Sequence, residues 1–435
     1  MFTKLAQNVE THIRVLTEEI GVRLAGSIGE KRAIDYISEQ LRNAGGLVHI
    51  EQFNVLERAV EEERLEVKLN GAWESMPCSL LSNALGTDGE TVDAPLVFFV
   101  SATDYQRDDL KFLSGKAVVH LGSHIERPED YQRLVGARPA FVMFVDTRYP
   151  GTVATADGMF PAYTHAFGAL PIVSVAYSDA WNWKAAGATH ARLQVVGGMR
   201  PASSANVIAE LPGSDPEAEI LFVGGHHDTQ ADSVGADDNA SGVAAVLELT
   251  KMLADVPRKR TIRLISFGAE EQLSVGSAAY ARRHGDELKA RGRFILNFDS
   301  YGSILGWTEL SCCGSAEMAE YLNRQFIEQE EYVIIKDEAF PYADHFPLAA
   351  CGVPGAWVGR SNCTSGRFFH HRPDDTIAQI DIPLMAKMLR IGGKCLTDIA
   401  AADSLPFSTS IPKNLQVEIE KKWQGLFGGW KGFGA

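Results

Sequence analysis

Short apolar runs alternate with amphipathic stretches through the second half of the chain. The runs EILFVGG, TIRLISF, RFILNF and GAWVG are largely apolar, which is the pattern of strands buried on both faces. Stretches with helical spacing follow the first three runs, near Ala240–Leu253, Gly276–His284 and Ala316–Glu328. This alternation predicts an α/β fold in which a mainly parallel sheet is sandwiched by helices.

The first half of the chain has a different pattern of apolar and polar residues. Ser27 and Glu30 have the spacing of a capping box, which opens the helical segment SIGEKRAIDYISEQLRNAGG, and LVHIEQFNV follows as a strand. From about residue 58 to residue 198, short β-rich runs such as PLVFFV, KAVVHL and AFVMFV dominate. We therefore predict four segments: an N-terminal part of the main domain at 1–57, a β-rich insertion at 58–198, the main domain at 199–403 and an irregular tail at 404–435.

Composition narrows the class of protein. A chain of 435 residues exceeds one ordinary core, which agrees with two domains, and a formal net charge of -15 argues against nucleic acid or an anionic membrane as partner. No apolar stretch approaches the roughly 20 residues that span a bilayer. The N-terminal MFTKLAQNVETHIRV lacks an apolar signal region, and the six cysteines are irregularly placed, so we expect a cytoplasmic protein with reduced thiols. A homo-oligomer stays open.

Polar residues follow each of the four predicted strands. They are His226, His227 and Asp228, then Glu270 and Glu271, then Asp299, and finally His370 and His371. Because the carboxyl ends of parallel strands meet at one edge of a sheet, we expect these side chains to lie close together. Taken singly, such residues are usually structural or solvated.

Their coincidence at one edge changes that interpretation. Several uncompensated carboxylates in one place repel one another and raise their own pKa values. A divalent metal removes the conflict, and a ligand set of His, Asp and Glu without Cys suits zinc, with manganese or cobalt as alternatives. The sequence therefore predicts a metal centre at this edge.

The same segments resemble the two-zinc aminopeptidase family of clan MH, which is related to glutamate carboxypeptidase II. GVRLAGSIGEKRAIDYI is similar to the family's opening helix, and NVIAELPGSDPEAEILFVGGHHDT to its entry into the first ligand strand. GADDNASG, EE, NFDS and HHRPDDT follow in the family's order, so the likeness covers nearly the whole chain. It implies a zinc exopeptidase that acts on peptides or small peptide-like substrates with two Zn²⁺ per chain.

The resemblance also assigns a role to each site residue. It implies that His226 and Asp299 bind one ion, that Glu271 and His371 bind the other, and that Asp237 bridges both. Glu270 would take a proton from a water shared by the two ions and pass it to the leaving amine. Asp228 and Asp375 would orient the two ligand histidines, and His227 would point to the opposite face of its strand.

Two finer expectations follow from the same resemblance. It implies a cis peptide bond between Asp237 and Asp238. Where relatives often carry a tyrosine before the last ligand histidine, this chain has His370, whose ring N–H can donate the same hydrogen bond to the oxyanion of the tetrahedral intermediate. The alternative is that His370 only packs or contacts substrate.

The inserted stretch has a resemblance of its own. LSGKAVVHLGS, ARPAFVMFV and GALPIVSVAYSDAWNWKAAGA are similar to the strands and final helix of a protease-associated domain. Such an insertion would either limit access to the cleft or only stabilise the fold or an oligomer contact.

The form of GADDNASG favours an aminopeptidase that hydrolyses the N-terminal peptide bond. One alternative is a dizinc carboxypeptidase or amidase, in which Arg360, Arg367 or Arg372 clamps a substrate carboxylate. Another is a non-catalytic binding protein of the same fold.

Overall fold

The structure, a computed structural model, describes residues 2–122, 124–148, 151–362 and 368–433. The strands of this part of the chain are β1 (Leu47–Leu69), β2 (Ala72–Met76), β3 (Ser79–Leu80), β4 (Val92–Val100), β5 (Ala117–Gly122), β6 (Phe141–Asp146), β7 (Ile172–Ser174), β8 (His190–Leu211), β9 (Ile220–His226), β10 (Thr261–Phe267), β11 (Gly292–Phe298), β12 (Trp307–Cys313), β13 (Val333–Asp337) and β14 (Gly355–Ser361).

The α-helices are α1 (Phe2–Arg14), α2 (Ile28–Asn43), α3 (Ser101–Asp104), α4 (Pro128–Ala137), α5 (Pro161–Phe167), α6 (Tyr177–Ala185), α7 (Ser241–Leu253), α8 (Val275–Arg291), α9 (Ala316–Ile327), α10 (His345–Ala350), α11 (Ile382–Ala401) and α12 (Lys413–Phe427). None of these helices is long and apolar enough to cross a membrane.

The main sheet has the strand order β13-β12-β14-β11-β9-β10-β8. Its centre, β14-β11-β9-β10, is parallel, while β12 and β8 run antiparallel to their inner neighbours. One apolar core lies under α1, α2, α7, α9 and α11, and a second lies under α8, α10 and α12 on the opposite face. The predicted α/β fold is confirmed. The sheet is mixed because β12 and β8 run antiparallel to the central strands, and the sequence pattern did not predict β12 or β13.

The predicted start of α2 is confirmed at Ser27. Its hydroxyl oxygen accepts a hydrogen bond from the backbone N–H of Glu30 at 3.2 Å and so caps the helix. The Glu30 carboxylate accepts from the backbone of Gly26 at 2.6 Å rather than from Ser27, so only one half of the capping box forms.

A long antiparallel ribbon of β1 and β8 connects the main domain to a second layer. The pairing runs from Leu47 opposite Glu210 to Val67 opposite Ala191, with a bulge between Val60 and Glu62. Residues 70–189, which we call the insert, add the sheet β4-β5-β6-β7-β3 and have a core of their own. The boundaries predicted at 57/58 and 198/199 fall inside β1 and β8, so that division stays a prediction.

The tail is more regular than its composition indicated. It contains α12, whose buried residues Leu415, Ile419, Trp423 and Phe427 recur every fourth position against the main core. Beyond this helix, the ring of Phe433 lies 5.8 Å from that of His165 in α5 of the insert. The tail therefore contacts both the main domain and the insert.

Candidate metal centre

The ends of neighbouring strands bring the predicted site residues together. His226 is the last residue of β9, Glu270 and Glu271 lie in a 3-10 turn just after β10, and Asp299 directly follows β11. Because β10, β9 and β11 are parallel neighbours, all of these residues reach the same edge of the sheet. His371 follows β14 and closes the site from the side.

One group of donors surrounds His226. Its Nε2 atom lies 3.2 Å from Oδ1 of Asp238 and 3.7 Å from Oδ1 of Asp299. The ligand atoms of these three buried residues all lie within 4.8 Å of one another. The buried Nε2 atom makes no hydrogen bond, as expected for an atom whose partner is a metal ion rather than a protein group.

A second group surrounds His371. Its Nε2 atom lies 2.9 Å from Oε2 of Glu271 and 3.5 Å from Oδ2 of Asp238. Nδ1 of His370 lies 2.8 Å from the same Asp238 oxygen, and the two imidazole rings stack at 3.4 Å between centroids. Asp238 therefore takes part in both groups.

The structure contradicts the prediction that Asp237 is the shared carboxylate. Oδ1 of Asp237 accepts a hydrogen bond from the backbone of Gly302 at 2.8 Å, while Asp238 faces both histidines. The cis peptide bond joins Asp238 to Asn239, one residue later than predicted. Adjacent side chains point in different directions, and two consecutive aspartates give the sequence pattern no means of choosing between them.

The carboxylate of Asp228 orients the first group. Its two oxygens accept hydrogen bonds from the backbone N–H groups of Glu270 and Glu271 at 3.0 and 3.2 Å. Oδ1 also lies 3.5 Å from Nδ1 of His226. One side chain thus holds both the ligand histidine and the turn that carries the two glutamates.

Asp375 has a different partner from the predicted one. Its oxygens accept from the backbone N–H groups of Asp237 and Asp238 at 2.9 and 3.0 Å. The buried Nδ1 of His371, which we expected it to hold, makes no hydrogen bond. Asp375 therefore orients the shared carboxylate of Asp238 through the backbone of that residue.

His227 points away from the metal centre. Its Nδ1 lies 3.0 Å from the hydroxyl of Ser266, and its Nε2 lies 3.6 Å from Glu30, so its surroundings are those of the structural residue that the sequence predicted.

The sequence reasoning missed one cation beneath the site. Arg23 is fully buried and donates to the carbonyl oxygens of His227 and Val234 at 2.8 Å and of Gly235 at 3.2 Å. Burial lowers the pKa of its guanidinium to about 10. Arg23 ties together the two ends of the loop after β9. The segment GVRLAGS gave no sign of this role because the contact spans about two hundred residues.

The electrostatics of the cluster favour added positive charge. Burial raises the pKa of Glu271 to about 7 and that of Glu270 well above its ordinary value. Burial opposes a charge on His371, but the neighbouring Glu271 outweighs it and raises that pKa to about 9. Asp344, a buried residue for which we predicted no role, has its pKa raised by burial to about 7. Imidazole nitrogens and carboxylate oxygens are the donors that zinc takes, so the residues fit the predicted pair of Zn²⁺ ions.

A cavity of about 530 Å³ opens beside this cluster. Glu270, Asp299 and His371 line it at the metal centre, and β12 and β14 contribute the aromatic side chains of Trp307 and Trp357. The insert forms the remaining wall. The cavity and the metal centre therefore share one space between the main domain and the insert.

Two of the three arginines considered as carboxylate clamps are engaged elsewhere. The guanidinium of Arg360 donates to Thr308 at 3.2 Å and to the carbonyl of Gly306 at 2.9 Å. Arg372 donates to the carbonyl of Phe368 at 3.3 Å. Arg367 lies outside the described residues.

A sheet edge that gathers two histidine–carboxylate groups around one shared aspartate is the arrangement expected of a centre for two metal ions. Residues 206–394 match Peptidase family M28. The predicted family and enzyme class are confirmed. The match does not extend to the insert, whose identity as a protease-associated domain stays a prediction, as do location and oligomeric state.

Relatives align over most of the chain. Aminopeptidase YwaD of Bacillus subtilis (strain 168) is 23% identical over 435 residues, covering 97% of this chain and 90% of that protein. Carboxypeptidase Q of Mus musculus is 26% identical over 385 residues, covering 84% and 80%. The structure of BSAP, a zinc aminopeptidase from Bacillus subtilis, superposes with a TM-score of 0.75 at 21% identity, covering 94% of this chain and 98% of that one, which establishes the fold.

Proposed function

We propose that this protein is a zinc-dependent aminopeptidase that releases the N-terminal residue of peptides. The observation that carries the proposal is the position of Asp238, whose two oxygens face His226 on one side and His371 on the other. Relatives named as aminopeptidases, at 23% identity for the first of them, support the choice of reaction.

Each of the two groups of donors would bind one metal ion. His226, Asp299 and Asp238 would hold one Zn²⁺, and Asp238, Glu271 and His371 would hold the other. Bound zinc supplies a Lewis acid for the scissile carbonyl and lowers the pKa of water.

Glu270 is placed to move the proton. Its Oε2 lies 3.8 Å from Nε2 of His226, and its Oε1 accepts a hydrogen bond from Ser274 at 3.1 Å, which fixes the side chain beside the donors. Burial raises its pKa well above the ordinary value, so the carboxylate is a stronger base than a solvated glutamate. It would accept a proton from the attacking water and deliver it to the leaving amine.

His370 would stabilise the oxygen that gains negative charge. The ring lines the cavity, and its Nδ1 lies 2.8 Å from Asp238. If Nδ1 carries the proton that faces Asp238, Nε2 of the neutral ring has no proton and can only accept a hydrogen bond. Nε2 can then donate to the substrate only when the ring is doubly protonated.

One carboxylate of the cavity favours a substrate amine over a substrate carboxylate. Asp157 lines the cavity, while two wall cations are paired with other carboxylates, Lys336 with Glu309 at 2.7 Å and Arg148 with Asp146 at 2.6 Å. Arg360 was one of the arginines considered as a clamp for a substrate carboxylate. It lines the cavity, but its guanidinium already donates hydrogen bonds to Thr308 and Gly306. A carboxypeptidase remains the second candidate because carboxypeptidase Q aligns over 84% of the chain.

Three substrates separate these functions. Leucine p-nitroanilide, its N-acetyl derivative and an N-blocked dipeptide with a free carboxylate should be compared with and without a zinc chelator. The proposal predicts hydrolysis of the first substrate only, lost with chelator and restored by zinc. Hydrolysis of the blocked dipeptide alone would identify a carboxypeptidase instead.

A further inference from the structure

A loop of the insert reaches the metal centre. The backbone N–H of Ala156 donates to the carbonyl of His371 at 2.9 Å. The next residues are fixed to Ser82, which donates to the carbonyl of Asp157 at 3.0 Å and accepts from Met159 at 2.9 Å. The backbone around Asp157 is therefore held on both sides, directly beside a ligand histidine.

The side chain of Asp157 lines the same cavity as Glu270 and His371. It is 14% exposed, and Oδ1 accepts a hydrogen bond from the backbone of Gly158 at 2.8 Å. A carboxylate in this position is supplied to the cleft by the insert rather than by the main domain.

Two basic side chains, His124 and Arg148, lie 3.6 and 3.8 Å from its carboxylate. The nearby Arg148 closes on Asp146 with contacts of 2.6, 3.0 and 3.1 Å and approaches Asp157 only to 3.8 Å. Nη2 of Arg148 also lies 3.0 Å from Nε2 of His124. Since arginine only donates, that nitrogen is an acceptor, and the neutral ring of His124 faces Asp157 at 3.6 Å.

The other carboxylates on the cavity wall differ from Asp157. Glu309 is paired with Lys336 at 2.7 Å. Glu338 directly follows Asp337, the last residue of β13. Asp337 pairs with Cys312 of β12, which in turn pairs with Ala356 near the start of β14. Since the metal centre lies at the other end of β14, Glu338 is at the end of the sheet away from the metals. Asp157 is thus the wall carboxylate that is both near the metal centre and free of a close ion pair among the described residues.

This inference rests on the proposed aminopeptidase function. We propose that Asp157 binds the α-ammonium group of the substrate and makes a free N-terminus a requirement. In an aminopeptidase substrate, the α-amine is two bonds from the scissile carbonyl carbon, so it must lie close to the metals. An ammonium group there would meet a partly buried carboxylate whose backbone is held in place on both sides.

The test compares Asp157→Asn with Glu338→Gln, which removes the same charge at the far end of the cavity. Asparagine keeps the shape and the acceptor for Gly158. With leucine p-nitroanilide, Asp157→Asn should raise KM about tenfold to hundredfold while kcat and zinc content stay within about twofold. Leucinol should lose inhibition by the same factor, whereas 4-methylpentan-1-ol, which lacks only the amine, should inhibit both proteins equally. Glu338→Gln should leave all of these values near those of the unsubstituted protein.

Four outcomes would overturn the assignment. Two are an unchanged KM in Asp157→Asn and an equal rise of KM in Glu338→Gln.

The third is a rise of KM confined to lysine p-nitroanilide, which would mean that Asp157 contacts the substrate's basic side chain rather than its α-amine. The fourth is loss of zinc from Asp157→Asn, which would mean that Asp157 only supports His371. If the unsubstituted protein did not hydrolyse leucine p-nitroanilide, the proposed function itself would fail, which is a distinct result.

Discussion

Oδ1 of Asp238 lies 3.2 Å from Nε2 of His226, whereas its neighbour Asp237 is bonded to the backbone of Gly302. The pair therefore gives two matched substitutions with different expected effects. Loss of a residue that only orients a metal ligand weakens metal binding roughly 10- to 100-fold. Asp238→Ala removes a ligand and should weaken the binding of both zinc ions by more than that. Asp237→Ala should keep two zinc ions. Zinc per chain after dialysis measures both, and the reverse pattern would restore Asp237 as the bridge.

Glu270 should be required for turnover but not for metal. Glu270→Gln should lower kcat about 10²- to 10⁴-fold, because the side chain transfers a proton and does not bind zinc. Glu271→Gln is the control, since it removes a ligand beside His371 and should lower zinc content as well. Full activity in Glu270→Gln, or loss of zinc from it, would remove Glu270 from the mechanism.

The sequence predicted the central strands and the site edge because both depend on local pattern. Runs that are apolar on both faces indicated β9, β10, β11 and β14, and the residues that the structure brings together end these strands or follow them along the chain. The predicted helix bounds were close for α7 and α9, but α8 extends to Arg291, beyond the predicted His284. Its later turns are polar, so their position against the core is set by tertiary contacts.

The errors concern side-chain direction and distant contacts. Spacing alone did not distinguish Asp237 from Asp238, nor could it show that Asp375 would hold their backbone. Arg23 and Asp157 come from other parts of the chain, so only folding brings them to the site. Local sequence thus indicated which residue types form the centre, while the atoms that face the metals required the three-dimensional structure.

Stability of the metal-free chain should fall as pH rises across the titration of this cluster. The folded pKa of Glu271, about 7, exceeds its ordinary 4.5, and that of His371, about 9, exceeds its ordinary 6.5. A group whose pKa is higher in the folded than in the unfolded state stabilises the folded state fully at pH values below its unfolded pKa. This stabilisation is lost as the pH rises through its folded pKa. Both groups therefore lose their contribution between about pH 4.5 and pH 9.

Zinc should reverse that trend because it competes with the same protons. The difference in Tm between zinc-loaded and metal-free protein should increase from pH 5 to pH 9, and taking this difference cancels titrations elsewhere in the chain. The increase should be smaller in Glu271→Gln. A difference that shrinks with rising pH would contradict the assigned ligands.

His370 should contribute to kcat through its hydrogen-bonding capacity. His370→Phe should lower kcat about 10²- to 10³-fold without loss of zinc, since donors to an oxyanion typically contribute that much. His370→Tyr, which restores a donor, should recover much of the rate. Equal rates in His370→Phe and the unsubstituted protein would mean that the ring only packs against His371 or contacts substrate.

The order in which residues leave a peptide tests the central claim most directly. A pentapeptide with free ends and five different residues should be incubated with zinc-loaded protein and followed by mass spectrometry. The account predicts that the N-terminal residue is released first and that the N-acetylated pentapeptide stays intact. Release of the C-terminal residue first, or equal cleavage of the acetylated peptide, would contradict it.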